Sequence, residues 1–444
     1  MPPGQTVEGV APFVTEVSIR HRLERGLRIF LFVALCTLLV FGPLALGIVQ
    51  DWSTTIFEAG AAVVLLIWMA WQLTACEEEV RWNPLFAPML AFFGLVLVQI
   101  AFHHTAYLYD SLSELWLSVA YGILAFVAVQ LVRGDDILRF GKTMALFGSV
   151  YAVFAVFQGF TSAGRIYWLI KPRAGSVYGS YVNHNHYAGL MELLLPFALV
   201  LAVSGSVRGG KRVLLVFAAM LMAASVFLCQ SRGGMFAVIV ETVFLAILWM
   251  RQFSPRKSAA VFVAFCLVTA LFLAWIAPQQ VGGRITDTHD PARWLIHRDS
   301  IRMFAAHPFL GSGFGSFATV FPRYRVFYDG FFINHAHDDY LELLLETGLA
   351  GLGVAVWFIV VLYREGLHNL RSAKLSLAAL ISTAALAGCT GLLAHSFIDF
   401  NLHIPANAAL FFVLCAIASA PLVNRNRSNS KSSTERSGCS ASGL

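Results

Sequence analysis

The sequence predicts an all-α polytopic membrane protein with about twelve transmembrane helices. Of its 444 residues 58% are apolar and only 13% charged, and the mean hydropathy is +0.71, which does not describe a water-soluble globule. Apolar windows of about 20 residues, the length that crosses roughly 30 Å of hydrocarbon as a helix, recur along the whole chain. Lys and Arg concentrate in alternate loops, as expected when those loops share the cytoplasmic face.

The arm 1–26 carries Glu8, Glu16, Arg20, Arg22, Glu24 and Arg25. It shows no cleavable signal peptide, and the first apolar run is long enough to remain as a span, so the arm is read as cytoplasmic. Spans then follow at 27–49, 54–74, 84–103, 113–132, 141–160 and 186–206. A second set lies at 212–229, 233–252, 258–278, 341–363, 375–397 and 403–423, making 27–423 the membrane domain. Twelve crossings return the chain to the cytoplasm, where the Ser-rich polar tail 424–444 is expected to be disordered. The basic residues that break the inner bias are Arg165, Lys171, Arg173, Arg232, Arg284, Arg293, Arg298, Arg302, Arg323 and Arg325. All lie in outer loops, so they need a reason of their own.

Seven cysteines, at 36, 76, 229, 266, 389, 415 and 439, form no CxxC pair and lie mostly inside apolar runs. A disulfide framework or zinc ribbon is not expected. The pI near 9.0 reflects inner-face arginines against anionic lipid and does not point to nucleic acid.

The longest polar stretch is an outer loop at 279–340. Its centre, PARWLIHRDSIRMFAAHP, reads as a helix with Trp294, Ile301 and Phe304 on an apolar face and Arg298 and Arg302 on a basic one. Pro291 suits its first turn and Pro308 its end, and FLGSGFGSF beyond must turn sharply. Such a loop can lie as an amphipathic lid on the membrane surface. It runs into INHAHDDYLELLLETGLAG, Ile333 to Gly351, where two histidines and two aspartates meet the tenth span. Asp339 followed three residues later by Glu342 has the spacing of a capping box. His337 precedes that cap, where an imidazole that titrates near neutrality suits proton transfer.

A second polar cluster, GSVYGSYVNHNHYAG, leads into the sixth span. Asn183 and Asn185 there either cap the helix or contact sugar hydroxyls. Four histidines (184, 186, 335 and 337) with two aspartates could in principle hold a metal. No HExxH-like pattern is present and HxH spacing does not fit a helix face, so no metal or other cofactor is assigned. Glu192 and Glu241, inside the sixth and eighth spans, are costly in lipid and should face the protein interior.

Outer arginines suit an anionic ligand at the headgroup plane. Arg232, in the short turn QSRGG with Gly233 and Gly234 behind it, could hold a lipid-linked diphosphate through bidentate contacts and stabilise its growing charge as a leaving group. Arg298, on the basic face of the outer-loop helix, is placed with it.

These elements carry a family resemblance. His337, Asp338, nine residues, Gly348, two residues and Gly351 resemble the signature of O-antigen ligases, a histidine, then Asn, Ser or Gln, nine residues, Gly, two residues, and Gly or Thr. SRGGMF resembles an Arg-xxx-Leu element with Phe236 in place of leucine, Arg293 through HPFLGSGFGSF resembles an arginine–helix–HP–GxG element, and KPRAGSVYGSYVNHNHYAG resembles an arginine with Asn-x-Asn. Over about 165–352 the chain therefore resembles the O-antigen ligase and polymerase superfamily of membrane glycosyltransferases.

The resemblance implies a GT-C-like, membrane-embedded glycosyltransferase of the bacterial inner membrane, with its active site on the periplasmic side and no cofactor. The donor would be an undecaprenyl-diphosphate-linked glycan, and the acceptor lipid A core, a growing polysaccharide or a protein. By position, His337 would be the general base, Arg232, Arg293 and Arg173 would hold the diphosphate, and the linkage would invert. His335 and Asp338 flank the base and are placed with Asn183 and Asn185 on the glycan or acceptor. Asp338 departs from the neutral residue of the ligases. A carboxylate beside an imidazole favours the charged ring, so either Asp338 points away or the pH optimum moves up. The reading from a different class is a secondary transporter, which predicts paired repeats and a buried ionisable cluster.

Overall fold

The computed structural model describes residues 11–74, 79–173, 175–204, 207–252, 263, 267, 291–328, 330–372 and 376–422. Among them the chain is helical throughout, with two isolated bridges, Ile166 with Ile170 and Tyr178 with Tyr181, and no sheet. Helices α1 (Ala11–Leu44), α2 (Asp51–Thr74), α3 (Phe86–Ala101), α4 (Leu108–Leu131) and α5 (Asp135–Thr161) make the first group. Helices α6 (His184–Val203), α7 (Gly210–Leu228) and α8 (Arg232–Gln252) follow. After the undescribed stretch come α9 (Pro291–Ala306), the one-turn α10 (Phe317–Val320), α11 (Asp339–Ser372), α12 (Leu377–His395) and α13 (Pro405–Ser419).

Nine helices among the described residues are long and apolar enough to cross a membrane, which makes this a multi-pass membrane protein. The third and twelfth expected spans are shorter than read, at 16 and 15 residues. Sixteen residues rise only about 24 Å. Proline sets both starts: Trp82-Asn83-Pro84 stays outside α3, and Pro405 opens α13 after a 3-10 turn at Asn401–His403. The ninth expected span, 258–278, lies outside the described residues apart from positions 263 and 267, as does the tail 424–444.

Hydrogen bonds sort the helix ends into two faces. On one, Arg28 pairs with Asp136 at 2.8 Å, Arg81 and Gln130 exchange bonds, Asn83 binds Ser419, and Asn369 binds the Ala418 and Ala420 carbonyls. On the other, Ser180 and Tyr167 donate to the carbonyls that end α1, and Gln99 at the end of α3 donates to Leu310 and Glu346. The second face carries the clustered histidines and carboxylates at the start of α11 and in the connector between α12 and α13.

The core forms around α6 and α12, which are buried on nearly every side. A helix apolar all round must be enclosed by other helices. Small residues allow the approach: a methyl group at Gly391 of α12 would lie 2.6 Å from Glu241 of α8, and one at Gly234 would meet Ala188 of α6. Two acidic side chains follow into this core. Glu192 pairs with His395 at 2.8 Å with both side chains fully buried, and Glu241 is buried as well, so both face the interior as the sequence reading required.

Candidate functional site

The chain enters α11 through Ile333–Asp338, and the cap at its start is Asp338 rather than Asp339. Asp338 Oδ1 accepts the N–H groups of Tyr340 and Leu341, both at 3.0 Å. Burial pushes the Asp338 carboxyl up, against the pull of those N–H groups. Its charge is therefore turned to the helix N-terminus, which is how the departure from the ligase pattern is accommodated. Replacing Asp338 by alanine should cost about 1 kcal/mol of stability, while asparagine, which also caps, should cost little. Thermal unfolding of the two variants in detergent checks this, and an equal loss in both would count against the cap.

His337 follows a left-handed backbone, φ 57°, a conformation that costs a non-glycine residue about 1–3 kcal/mol and persists where neighbours hold it. Its Nδ1 lies 3.4 Å from Asp399 Oδ1, and its ring meets Phe400 edge-on at 5.0 Å. The imidazole is 32% exposed, whereas Asp399 is fully buried. One ring edge thus rests on a fixed carboxylate. With Nδ1–H donating to it, Nε2 carries the lone pair.

Asp399 lies in the connector between α12 and α13 and is held from several sides. Its Oδ1 accepts the Phe400 N–H at 2.9 Å, its Oδ2 accepts the Asn185 side-chain amide, and the Arg293 guanidinium stands 3.7 Å away. Arg293 also donates to the Ile398 carbonyl at 2.6 Å. Burial alone would raise the carboxyl. The His337 hydrogen bond and the positive charge of Arg293 outweigh it and hold Asp399 well below the usual carboxylate range. Asn185 reaches this point from the first turn of α6, which Asn183 caps by accepting the Asn185 N–H at 2.9 Å. Of the two roles open to these asparagines, Asn183 takes the cap and Asn185 faces the site.

Asp339, expected to cap, instead binds the connector: Oδ1 to His403 Nδ1 at 2.7 Å, Oδ2 to Ser396 Oγ at 2.7 Å and to the Leu402 N–H at 3.0 Å. Glu342 does reach back, but to the Ala336 N–H at 2.7 Å and to His335 Nδ1 at 2.8 Å. Burial disfavours charge on His403, yet Glu342 and Asp339 on either side hold its ring protonated far above the ordinary histidine range. His335 stacks on Phe400 at 4.2 Å.

The four arginines placed by the sequence on an anionic ligand divide. Arg293 joins the site. Arg298 is committed to Asp299 at 2.9 Å and lies over the Trp294 ring at 5.5 Å. Arg232 is exposed at the first position of α8, next to Gly233, where any added methyl would overlap the His395 ring. That ring ends α12, whose His395 carbonyl accepts the N–H of Asp399 at 3.1 Å, so Arg232 stands at the same corner. Arg173 is exposed in the loop between α5 and α6, and among the described residues no hydrogen bond or ion pair joins it to this cluster.

Helix α9 packs on the protein through a face that its apolar residues did not single out. Trp294 and Ile301 are 63% and 66% exposed, whereas Ile296, Asp299, Ser300 and Met303 are buried. Asp299 decides the rotation, because its buried carboxylate accepts the Val326 N–H at 2.9 Å as well as pairing with Arg298. His297 Nε2 lies 3.2 Å from the Ala336 carbonyl, which docks α9 against the His337 loop.

The turn after α9 braces α11. Leu349 and Ala350 donate to the Pro308 and Phe309 carbonyls at 2.9 and 3.1 Å, and Ser312 and Gly313 donate to Leu345 and Glu346, both at 3.0 Å. The Glu346 carboxylate accepts the N–H groups of Gly315 and Phe317 at 2.9 and 2.8 Å. Gly348, at φ 65° and ψ −163°, breaks α11 where the two segments meet. The glycines of the two elements are thus a pair of surfaces pressed backbone to backbone.

Residues 217–356 match a protein-family model described as O-antigen ligase. A search of curated proteins finds no match. The matched stretch contains Arg232, Arg293, His337 and Gly348, while Asn185 and Asp399, which complete the cluster around His337, lie on either side of it.

Proposed function

We propose that this chain, whose residues 217–356 match the O-antigen ligase family model, is an inverting glycosyltransferase that moves a glycan from undecaprenyl diphosphate to an acceptor hydroxyl. The observation that carries the reading is the partly exposed His337 imidazole resting on the buried Asp399 carboxylate beside Arg293. His337 Nε2 takes the proton of the acceptor hydroxyl. The freed oxygen attacks the anomeric carbon opposite the diphosphate, the bond from that carbon to the bridging diphosphate oxygen breaks, and undecaprenyl diphosphate leaves with the electron pair. Asp399 holds the ring in its tautomer and favours the imidazolium that forms. Arg232 and Arg293, with Arg173 and Arg298 further out, supply positive charge for the diphosphate, which gains charge as it departs. No step runs through a metal.

In this reading the face bearing His337 is periplasmic, the protein sits in the bacterial inner membrane with both termini cytoplasmic, and the architecture is GT-C-like. Asn185 lines the glycan or acceptor side, while Asn183 and Asp338 act through their helix caps. Ligase and polymerase differ only in the acceptor: lipid A core, a growing polysaccharide or a protein. A transporter finds support in one feature, the buried Glu192–His395 pair with Glu241 nearby. Purified chain given undecaprenyl-diphosphate glycan and each acceptor in turn should release undecaprenyl diphosphate with one of them, and Arg232→Ala should slow that release. Release with none of them, together with solute uptake into proteoliposomes, would establish the transporter instead.

A further inference from the structure

Beside His337 and Asp399 lies a second cluster that the transfer reaction leaves unused. His335 Nδ1 is 2.8 Å from Glu342 Oε1, and His403 Nε2 approaches the same oxygen at 3.5 Å. One donor atom from each of the three residues lies within 4.8 Å of the others. Around a tetrahedral cation with bonds of about 2.0–2.1 Å, neighbouring donors stand about 3.3 Å apart. The two separations bracket that spacing.

Each donor is held from behind. Asp339 Oδ1 binds His403 Nδ1 at 2.7 Å and so aims Nε2 at the cluster. The Ala336 N–H occupies Glu342 Oε2 at 2.7 Å, which turns Oε1 inward, and Phe400 fixes the His335 ring by stacking. Outer partners of this kind, a carboxylate behind a histidine above all, orient the ligands of metal sites. Glu342 is 2% exposed while His335 and His403 are 28% and 18% exposed, so an ion can enter and water can complete its shell. Two imidazoles and one carboxylate suit zinc and other first-row divalent ions, whereas calcium and magnesium call for more oxygen donors.

We propose that His335, Glu342 and His403 form a binding site for a divalent transition-metal cation, which clamps the His337 loop to the connector that carries Asp399. On binding, the cation replaces the proton on His403 Nε2, which leaves to solvent. The His335 ring coordinates through Nδ1, and the proton that Nδ1 donates to Glu342 in the metal-free site passes to Nε2 by exchange with solvent. The ion is structural: it holds two segments together and touches no reacting atom.

The probe is zinc. Full-length protein purified in detergent after growth with zinc, and dialysed against a weak chelator, should retain close to one zinc per chain by elemental analysis. His337→Ala should retain it too, while Glu342→Gln and His403→Gln should lose it. Stripped wild type should gain melting temperature saturably on zinc addition, and His403→Gln should not. Should those two variants fail to fold, His335→Phe, which keeps the stack on Phe400 and removes a donor, should show the same loss. Wild type that neither retains zinc nor responds to it overturns the proposal. So does equal zinc in wild type and in folded ligand variants, which would mean adventitious binding only. Metal content is read without any transfer assay, so a failed metal site and a failed transferase reading remain distinguishable.

Discussion

His337→Ala is expected to slow release of undecaprenyl diphosphate by about 10²–10⁴-fold, the range that a positioned general base contributes, with little change in stability. The side chain is 32% exposed and its one polar contact among the described residues is the 3.4 Å approach to Asp399. Alanine therefore removes chemistry without opening the core. It also leaves Asp399 with Asn185, Arg293 and the Phe400 N–H as partners, so the carboxylate is not stranded. Asp399→Asn tests the same pair from the other side. It keeps the shape but loses the charge that stabilises an imidazolium, so kcat should fall with KM largely unchanged, as for an interaction made in the transition state. Single-turnover assays on both variants decide the matter. Wild-type rates in His337→Ala would remove the base, and with it the proposed mechanism.

What could be read from the sequence follows from the range of the interactions concerned. A span is a local property, set by the length and apolarity of one window, and so the long helices fall where they were expected. His337 and the asparagine cluster were legible because polar residues in so apolar a chain must have a reason. Asp399 was passed over because it sits in a five-residue connector between two apolar windows, and its partner is 62 residues away. The only hint was the polar run Asp399, Asn401, His403 between the last two spans. The cap shows a subtler limit. Asp338 and Asp339 are both competent at a helix start, and the choice falls on Asp338 because His403, Ser396 and Leu402 claim Asp339. Helix α9 hid its packing face for a similar reason: a buried Asp299, with partners at Arg298 and Val326, sets the rotation that leaves Trp294 outside, and no local pattern marks an acidic residue as the one to bury. In each case a distant polar partner overrode a sound local preference.

Gly348→Ala is expected to be the most destabilising single-methyl change outside the core, by roughly 2–6 kcal/mol. At φ 65° and ψ −163° the residue occupies a region essentially confined to glycine, which charges an alanine about 1–3 kcal/mol in backbone strain. Its new methyl would overlap the Phe309 carbonyl group and lie 2.6 Å from the Leu310 nitrogen. Backbone atoms cannot rotate aside, so overpacking adds about 1–3 kcal/mol more. Relief requires the turn at Pro308–Gly313 to part from α11, and that breaks the bonds from Leu349 and Ala350 to Pro308 and Phe309. The consequence reaches the site, because that turn follows directly from α9, which carries Arg293 and docks His297 on the Ala336 carbonyl. A folded fraction of Gly348→Ala should therefore lose transfer as well as melting temperature. Gly353→Ala is the matched control, since its added methyl meets nothing within 4 Å on the same helix. Alanine there should raise helix stability slightly. Thermal unfolding of the pair in detergent separates the two effects, and a Gly348→Ala protein that melts with the wild type would show that the break in α11 is not required by the contact with Phe309.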